Sequence, residues 1–215
     1  VEEAMTVVTL GPPSSTVESS ATDLDPSILE PFEQIDFSSG ARLLLQPDSS
    51  HPKVHLRCVF LGGPIYEQAS QRGVSALLAE ILTKDTARHS AQSIAELIEG
   101  IGGSFSGSGG NNTISLAIEV LPTDLGITLE LLSDALTTPS FAQATFETER
   151  DAQVSSLLED KDEILEYGFR RLRELFFGAH PFSVSSDGRI DDLRSLTTEK
   201  VRAHYKSLIR SSNLV

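Results

Sequence analysis

The sequence predicts an α+β fold, a two-layer sandwich in which a mostly antiparallel sheet packs against helices. Three observations carry this. Apolar residues alternate along "TISLAIEVLP", so that Ile114, Leu116, Ile118 and Val120 share one face, as in a half-buried antiparallel strand. In "AQSIAELIEGIGG" the spacing is helical instead, with Ile94, Leu97, Ile98 and Ile101 in step. The element order, two strands, two helices, two strands and then helices, is not the strict alternation of a parallel doubly wound sheet.

Taken in order, "AMTVVTLGPP" is a short β-type run closed by Gly-Pro-Pro, and "SSTVESSATDLDPS" is a polar, acidic linker. The folded body begins near Ile35. "ARLLLQPD" and "KVHLRCVFLGG" are two strands separated by "SSHP", and the second is apolar enough to sit centrally in a sheet. A helix runs from Gly73 to Lys84, and Ser90 caps the next one, which Gly102-Gly103 stops. "SFSGSGG" and "TISLAIEVLP" form a hairpin around Asn111-Asn112. "TDLGITLELLSDALTTP" is a helix ended by Pro139, Phe141 to Phe177 is a long helical segment, and "SLTTEKVRAHYKSLIR" makes the last helix. No short-period repeat is present.

The net charge of −14 over 215 residues is unevenly placed. Residues 1–40 hold eight acids and no Lys or Arg, which leaves −6 for the other 175. No basic face is available for nucleic acid. No apolar stretch is long enough to cross a bilayer. The single cysteine, Cys58, excludes an internal disulfide and reads as a small hydrophobe in "VHLRCVFL". That leaves the compartment of a soluble chain open between cytoplasm and periplasm.

The chemistry-bearing residues are sparse. Of His51, His55, His89, His180 and His204 only His51 and His55 are four apart, and they fall in a proline turn and a strand rather than on one face of a helix; Cys58, three residues after His55, falls on the opposite face of that strand. No serine sits on a Gly-x-Ser-x-Gly elbow. "GSGGNN" lacks the Gly-Lys-Ser/Thr of a phosphate loop and opens no helix, so it is a hairpin turn.

The punctuation as a whole is more specific. Gly62-Gly63, Glu67, Gly73, the apolar helix with Lys84 and Thr86, and Ile94 through Gly102-Gly103 come in a characteristic order. Pro139 with Phe141, Glu149-Arg150, "FGAHPF" at 177–182, Gly188 and "LTTEKVRAHYKSLIRSSNLV" continue it. Over roughly residues 33–215 this resembles the pitrilysin/insulinase family of zinc metallopeptidases, whose fold is shared by mitochondrial processing peptidase and by core subunits of the respiratory cytochrome complex.

In that family the helix after the glycine carries His-x-x-Glu-His, which holds zinc and activates a water, and a later glutamate completes the site. The resemblance places the first histidine on Ala76, the glutamate on Ala79, the second histidine on Glu80 and the last ligand on Ser156. All four positions are vacated. It therefore implies no catalytic residue, no metal and no cofactor in this chain, with zinc expected in the catalytic domain of a parent protein. The peptide-binding strand of the family maps to Ser104, Phe105, Ser106, Gly107 and Ser108, where relatives show Asn-Ala-x-Thr. Strand pairing by backbone survives that change.

The resemblance further implies a division into residues 1–32, a strand and acidic linker from a preceding domain, and 33–215, one non-catalytic peptidase-family domain. That arrangement suits the third domain of a double-length bacterial-type member. "AMTVVTL", as the closing strand of an absent domain, is expected to be mobile or to pair with an exposed edge. The partners implied are other domains of the parent or a catalytic subunit, and a peptide. The functional expectation is a wall of a peptidase chamber that supports proteolysis elsewhere. The alternative is a purely structural assembly protein of the same fold.

Overall fold

A computed structural model describes residues 32–48 and 51–215. The expected strand "AMTVVTL" and the linker after it lie outside the described residues. Five strands and seven α-helices follow one another: β1 (Glu33–Asp36), β2 (Arg42–Leu45), β3 (Val54–Leu61), α1 (Val74–Leu82), α2 (Ala91–Gly100), β4 (Ser104–Gly109), β5 (Thr113–Val120), α3 (Leu125–Thr137), α4 (Gln143–Asp162), α5 (Ile164–Phe177), α6 (Ile190–Arg194) and α7 (Thr198–Leu208). All strand pairings are antiparallel, and helices cover the sheet, as the α+β reading requires.

Two sheets are present among the described residues. β1 and β2 form a ribbon, and β3, β5 and β4 form a sheet in that order. The middle strand of that sheet is β5, in which every second residue is buried. β3, expected to be central from its apolar run, pairs with β5 on one side and, through Val59 and Phe60, with Val215 and Leu214 on the other, while exposing His55, Arg57 and Leu61. β1 escaped the sequence reading because "EQID" has only one apolar residue, and its register on β2 supplies what propensity does not.

The core is organised around α1. Val74, Leu77, Leu78, Ala79, Ile81 and Leu82 are all buried, because this helix has neighbours on every side: β4, β5, α4 and α7. Each buried leucine or isoleucine is worth about 1.5–3 kcal/mol of transfer free energy. A smaller cluster of Ile94, Ile98 and Leu131 seats α2 on α3. Ser90 caps α2 as expected, its side chain accepting the Ser93 N–H at 3.2 Å.

The long segment Phe141 to Phe177 is not continuous. It breaks at Glu163, whose backbone is extended, into α4 and α5. Glu159 lies one turn before Asp162 and Glu163, and like charges at that spacing disfavour a further turn. An ion pair between Arg170 and Asp160 at 2.9 Å ties the two helices together across the break. No residue of α5 is buried, and Leu165, Phe169, Leu172 and Phe176 form an exposed stripe along it.

Candidate functional site

Where β4 passes α1 and α4, a groove of about 350 Å³ opens. It exists because β4 lies unusually close to α1. A Cβ on Gly107 would stand 2.0 Å from the Ala79 carbonyl oxygen, and one on Gly109 would stand 2.6 Å from the Ala76 Cα. Two glycines at i and i+2 face the helix, so strand and helix meet backbone to backbone.

Three of the four positions singled out in the sequence come together here. Ala76 and Glu80 on α1 and Ser156 on α4 line the groove, beside Gly107 and Ser108 of β4. Ala79 does not; it is fully buried beneath Gly107. β4 is an edge strand among the described residues, with β5 on one side only. Ser104, Ser106 and Ser108 are exposed on it, Phe105 turns half-buried toward the core, and Gly107 is covered by α1. The open edge and the groove thus adjoin.

The groove's electrostatics come from residues whose combination the sequence did not disclose. The Lys84 ammonium lies 3.4 Å from a Glu149 oxygen and 4.0 Å from a Glu80 oxygen. Burial raises the Glu80 carboxyl above its ordinary range, Lys84 pulls it back down and Glu149 pushes it up. An ammonium between two carboxylates repels a divalent cation from the place where two acids alone might hold one. Among the described residues, no group of three or more His, Cys, Asp or Glu is arranged to hold a metal. Alanines at 76 and 79 offer no donor, and Ser156 offers only a hydroxyl. These residues do not fit a catalytic zinc.

Gln153, also on the groove, donates from its side-chain amide to the Asp187 carbonyl at 2.7 Å and the Gly73 carbonyl at 3.2 Å. It clamps the start of α1 to the loop before α6. Behind that start lies a second polar cluster that sequence spacing could not reveal. Glu67 accepts the Gly73 and Ser75 N–H groups at 3.0 and 2.9 Å, capping α1 with a carboxylate from outside the helix. The Ser75 hydroxyl oxygen accepts the Gly63 N–H and shares a 2.9 Å hydrogen bond with His204 Nε2.

Serine, histidine and carboxylate side by side invite comparison with a hydrolytic triad. The geometry rejects it. Ser75 is fully buried, and Glu67 bonds to the Ser75 backbone rather than to the imidazole. The cluster is a fastener between α7, α1 and the Gly62-Gly63 turn.

His204 gives that fastener a pH signature. Burial pushes its pKa down from 6.5 to about 4, so the folded chain keeps it neutral. The unfolded chain takes up a proton near pH 6.5 and the folded chain only near 4. Stability from this residue is therefore lost as pH falls through that window, by roughly 3 kcal/mol at most. Buried Glu67, whose carboxyl is raised mainly by desolvation, titrates with the opposite effect. The expected result of urea unfolding at pH 7, 5.5 and 4.5 is a slope that flattens in His204→Gln, and an unchanged slope would assign the acid sensitivity elsewhere.

Sequence and fold both have known relatives. The sequence profile of the insulinase peptidases, family M16, matches residues 42–180. The chain belongs to the M16 family. Cytochrome b-c1 complex subunit 1 of Bos taurus mitochondria is 23% identical over 198 residues, covering 90% of this M16 chain and 41% of the relative. Mitochondrial-processing peptidase subunit beta of Dictyostelium discoideum is 27% identical over 157 residues, 71% of this chain and 33% of its own length. This M16 chain thus spans a third to two fifths of those relatives.

Among solved structures, a protease from Helicobacter pylori superposes with a TM-score of 0.80 at 16% identity, covering 86% of this chain and 45% of that one. A peptidase M16 inactive domain from Pseudomonas fluorescens gives 0.74 at 19% identity, covering 80% and 42%. Identities this low establish the fold, an M16 α+β domain. No helix among the described residues is long and apolar enough to cross a membrane.

Proposed function

We propose that this chain is a non-catalytic domain of an M16 zinc metalloendopeptidase, forming a wall of the peptide chamber while the zinc and its general base belong to another domain or subunit of the parent. The observation that carries the reading is the groove itself. Ala76, Glu80 and Ser156, the positions that the resemblance assigns to the family's metal ligands, line one groove, and Lys84 stands across Glu80 and Glu149 there. Next to them β4 offers an edge with no partner strand among the described residues, to which an extended peptide can add by backbone hydrogen bonds. The likeness to an inactive M16 domain supports the same reading.

A peptide held on β4 gains position rather than chemistry, and position alone is a large part of a hydrolytic rate. Deleting this domain from the parent is therefore expected to abolish peptidase activity. Gly110 donates to Thr113 on β5, so Ser108, Ser106 and Ser104, in step with it, bond within the sheet while Phe105 turns its N–H to the open edge. Phe105→Pro, which removes a backbone donor from that open edge, is expected to lower kcat/KM by about tenfold or more. Glu80→Ala should change it less than twofold, since that carboxylate touches no reacting atom. These three forms of the parent, each checked for folding, test the reading.

The match to cytochrome b-c1 complex subunit 1 over 90% of the chain favours one alternative, a purely structural assembly role. Near-normal activity after deletion would select it.

A further inference from the structure

A surface helix turns its apolar side to the core and its charged side to water, and α5 does the reverse. Its charged side meets the body. Arg170 pairs with Asp160 at 2.9 Å, and Arg173 Nη1 donates to Asn111 Oδ1 at 3.2 Å and to the Val184 carbonyl at 3.4 Å. Only in the last turn does an apolar side chain join in, where Phe177 meets Phe182 edge to face at 5.8 Å between ring centres. The outward side carries Leu165, Phe169, Leu172 and Phe176, each between 61% and 78% exposed. Ile164 and Leu175 widen that stripe and are also exposed.

The spacing of the stripe says what fits it. Leu165, Phe169, Leu172 and Phe176 follow one another at steps of four, three and four, as along the seam of a coiled coil. That series is the same from either end. A second α5 laid antiparallel therefore meets it layer for layer, Leu165 on Phe176 and Phe169 on Leu172. The flanks match as well. Glu166 and Arg173 stand two turns apart on one flank, and Glu166 has no ion pair among the described residues. In an antiparallel pair each flank faces its own copy, so Glu166 of one helix meets Arg173 of the other. A parallel pair would set both charges against Gly168 and Leu175 instead. Those two residues occupy the other flank, where a Cβ on Gly168 would touch nothing within the fold. Glycine there costs the helix about 1 kcal/mol relative to alanine, and nothing inside the chain requires it. The antiparallel pair uses it as a gap for Leu175 of the other copy. A lipid surface is a poorer match, because the three arginines and two glutamates of α5 leave little positive charge on a chain of −14.

We infer that α5 is a self-association surface, through which two copies of this chain pair by antiparallel α5 helices about a two-fold axis. The seam spans three turns, about 16 Å. That is small against the roughly 800 Å² that each partner of a stable complex usually buries. The dimer is therefore transient, with a micromolar dissociation constant. No residue of α5 lines the groove beside β4, so the pairing is independent of the chamber reading.

Sedimentation velocity of the 215-residue chain over a range of concentrations tests this, with Glu166→Arg and Arg173→Glu studied alone and mixed. Each single variant sets like charges against each other twice in the pair and is expected to weaken self-association at least about tenfold. An equimolar mixture should recover it, since one copy then carries two arginines where the other carries two glutamates. Leu172→Asp, in the middle of the seam, should leave only monomer with an unchanged far-ultraviolet circular dichroism spectrum. Glu166 and Leu172 are exposed, so their variants test the seam even where Arg173→Glu fails to fold. A chain that is monomeric throughout, or a dimer indifferent to Leu172→Asp, would overturn the proposal. So would a mixture no more associated than its components, because the pairing would not be antiparallel. A chain that stays monomeric and sediments with phosphatidylcholine vesicles would assign the stripe to a lipid surface, and likewise overturn it.

Discussion

Substituting Ala76→His, Glu80→His and Ser156→Glu together is expected to convert this chain into one that binds one zinc per molecule. Residues 76 and 80 lie one turn apart on the same face of α1, and Ser156 lines the same groove from α4. Two imidazoles and a carboxylate supply the three protein ligands of an open zinc site. Removing the Glu80 carboxylate also frees Lys84 of one partner, leaving its closer bond to Glu149. Metal content after dialysis, followed by competition with a chelator, measures the gain. Absence of stoichiometric zinc in a folded triple variant would mean that the three positions do not form the family's metal site in this chain. Any pair of the substitutions should bind far more weakly, because two ligands leave the ion mostly to water.

The second large effect concerns the backbone contact that shapes the groove. Gly107→Ala is expected to cost about 3 kcal/mol or more, an overpacking penalty at the upper end of the usual range. The added Cβ would lie 2.0 Å from the Ala79 carbonyl oxygen and 2.4 Å from its carbon, and neither atom can rotate away. Strand and helix must separate, which disturbs both the core and the groove. Ser108→Ala, on the neighbouring residue, should cost less than about 1 kcal/mol, since its hydroxyl bonds only to Ser115 at the surface. Urea midpoints of the two variants provide the comparison. A Gly107→Ala chain as stable as its Ser108→Ala counterpart would show that β4 and α1 are not so closely apposed.

How much of this was legible in the sequence follows from how local each feature is. α1, α2 and β5 declare themselves by spacing and caps: the apolar run after Gly73, Ser90 with its reach to Ser93, and alternation from Ile114 to Val120. Positions 76, 79, 80 and 156 were marked by the resemblance alone, and helical spacing adds only that 76 and 80 share a face of α1. Strand order was not local: the apolar run of β3 marked it as part of the sheet, but nothing in the sequence placed β5 between β3 and β4. The break at Glu163 has no glycine or proline beside it to mark it, and the run's one glycine, Gly168, lies within α5.

The fastener at the base of α1 joins Glu67, Ser75 and His204, and 129 residues separate the last two. No periodicity links them. Lys84 and Glu149 meet across α1 and α4 for the same reason, so the charge balance of the groove could be read only from the fold.

The central claim, that this M16 chain carries no catalytic metal centre of its own, is tested most directly by metal analysis of the unmodified chain purified in the presence of zinc, with a fluorogenic peptide assay on the same sample. The account predicts less than about 0.1 zinc per chain after dialysis, as expected where fewer than three protein ligands are offered, and no cleavage above buffer. One tightly held zinc per chain, lost on Glu80→Ala and accompanied by peptide hydrolysis, would contradict it.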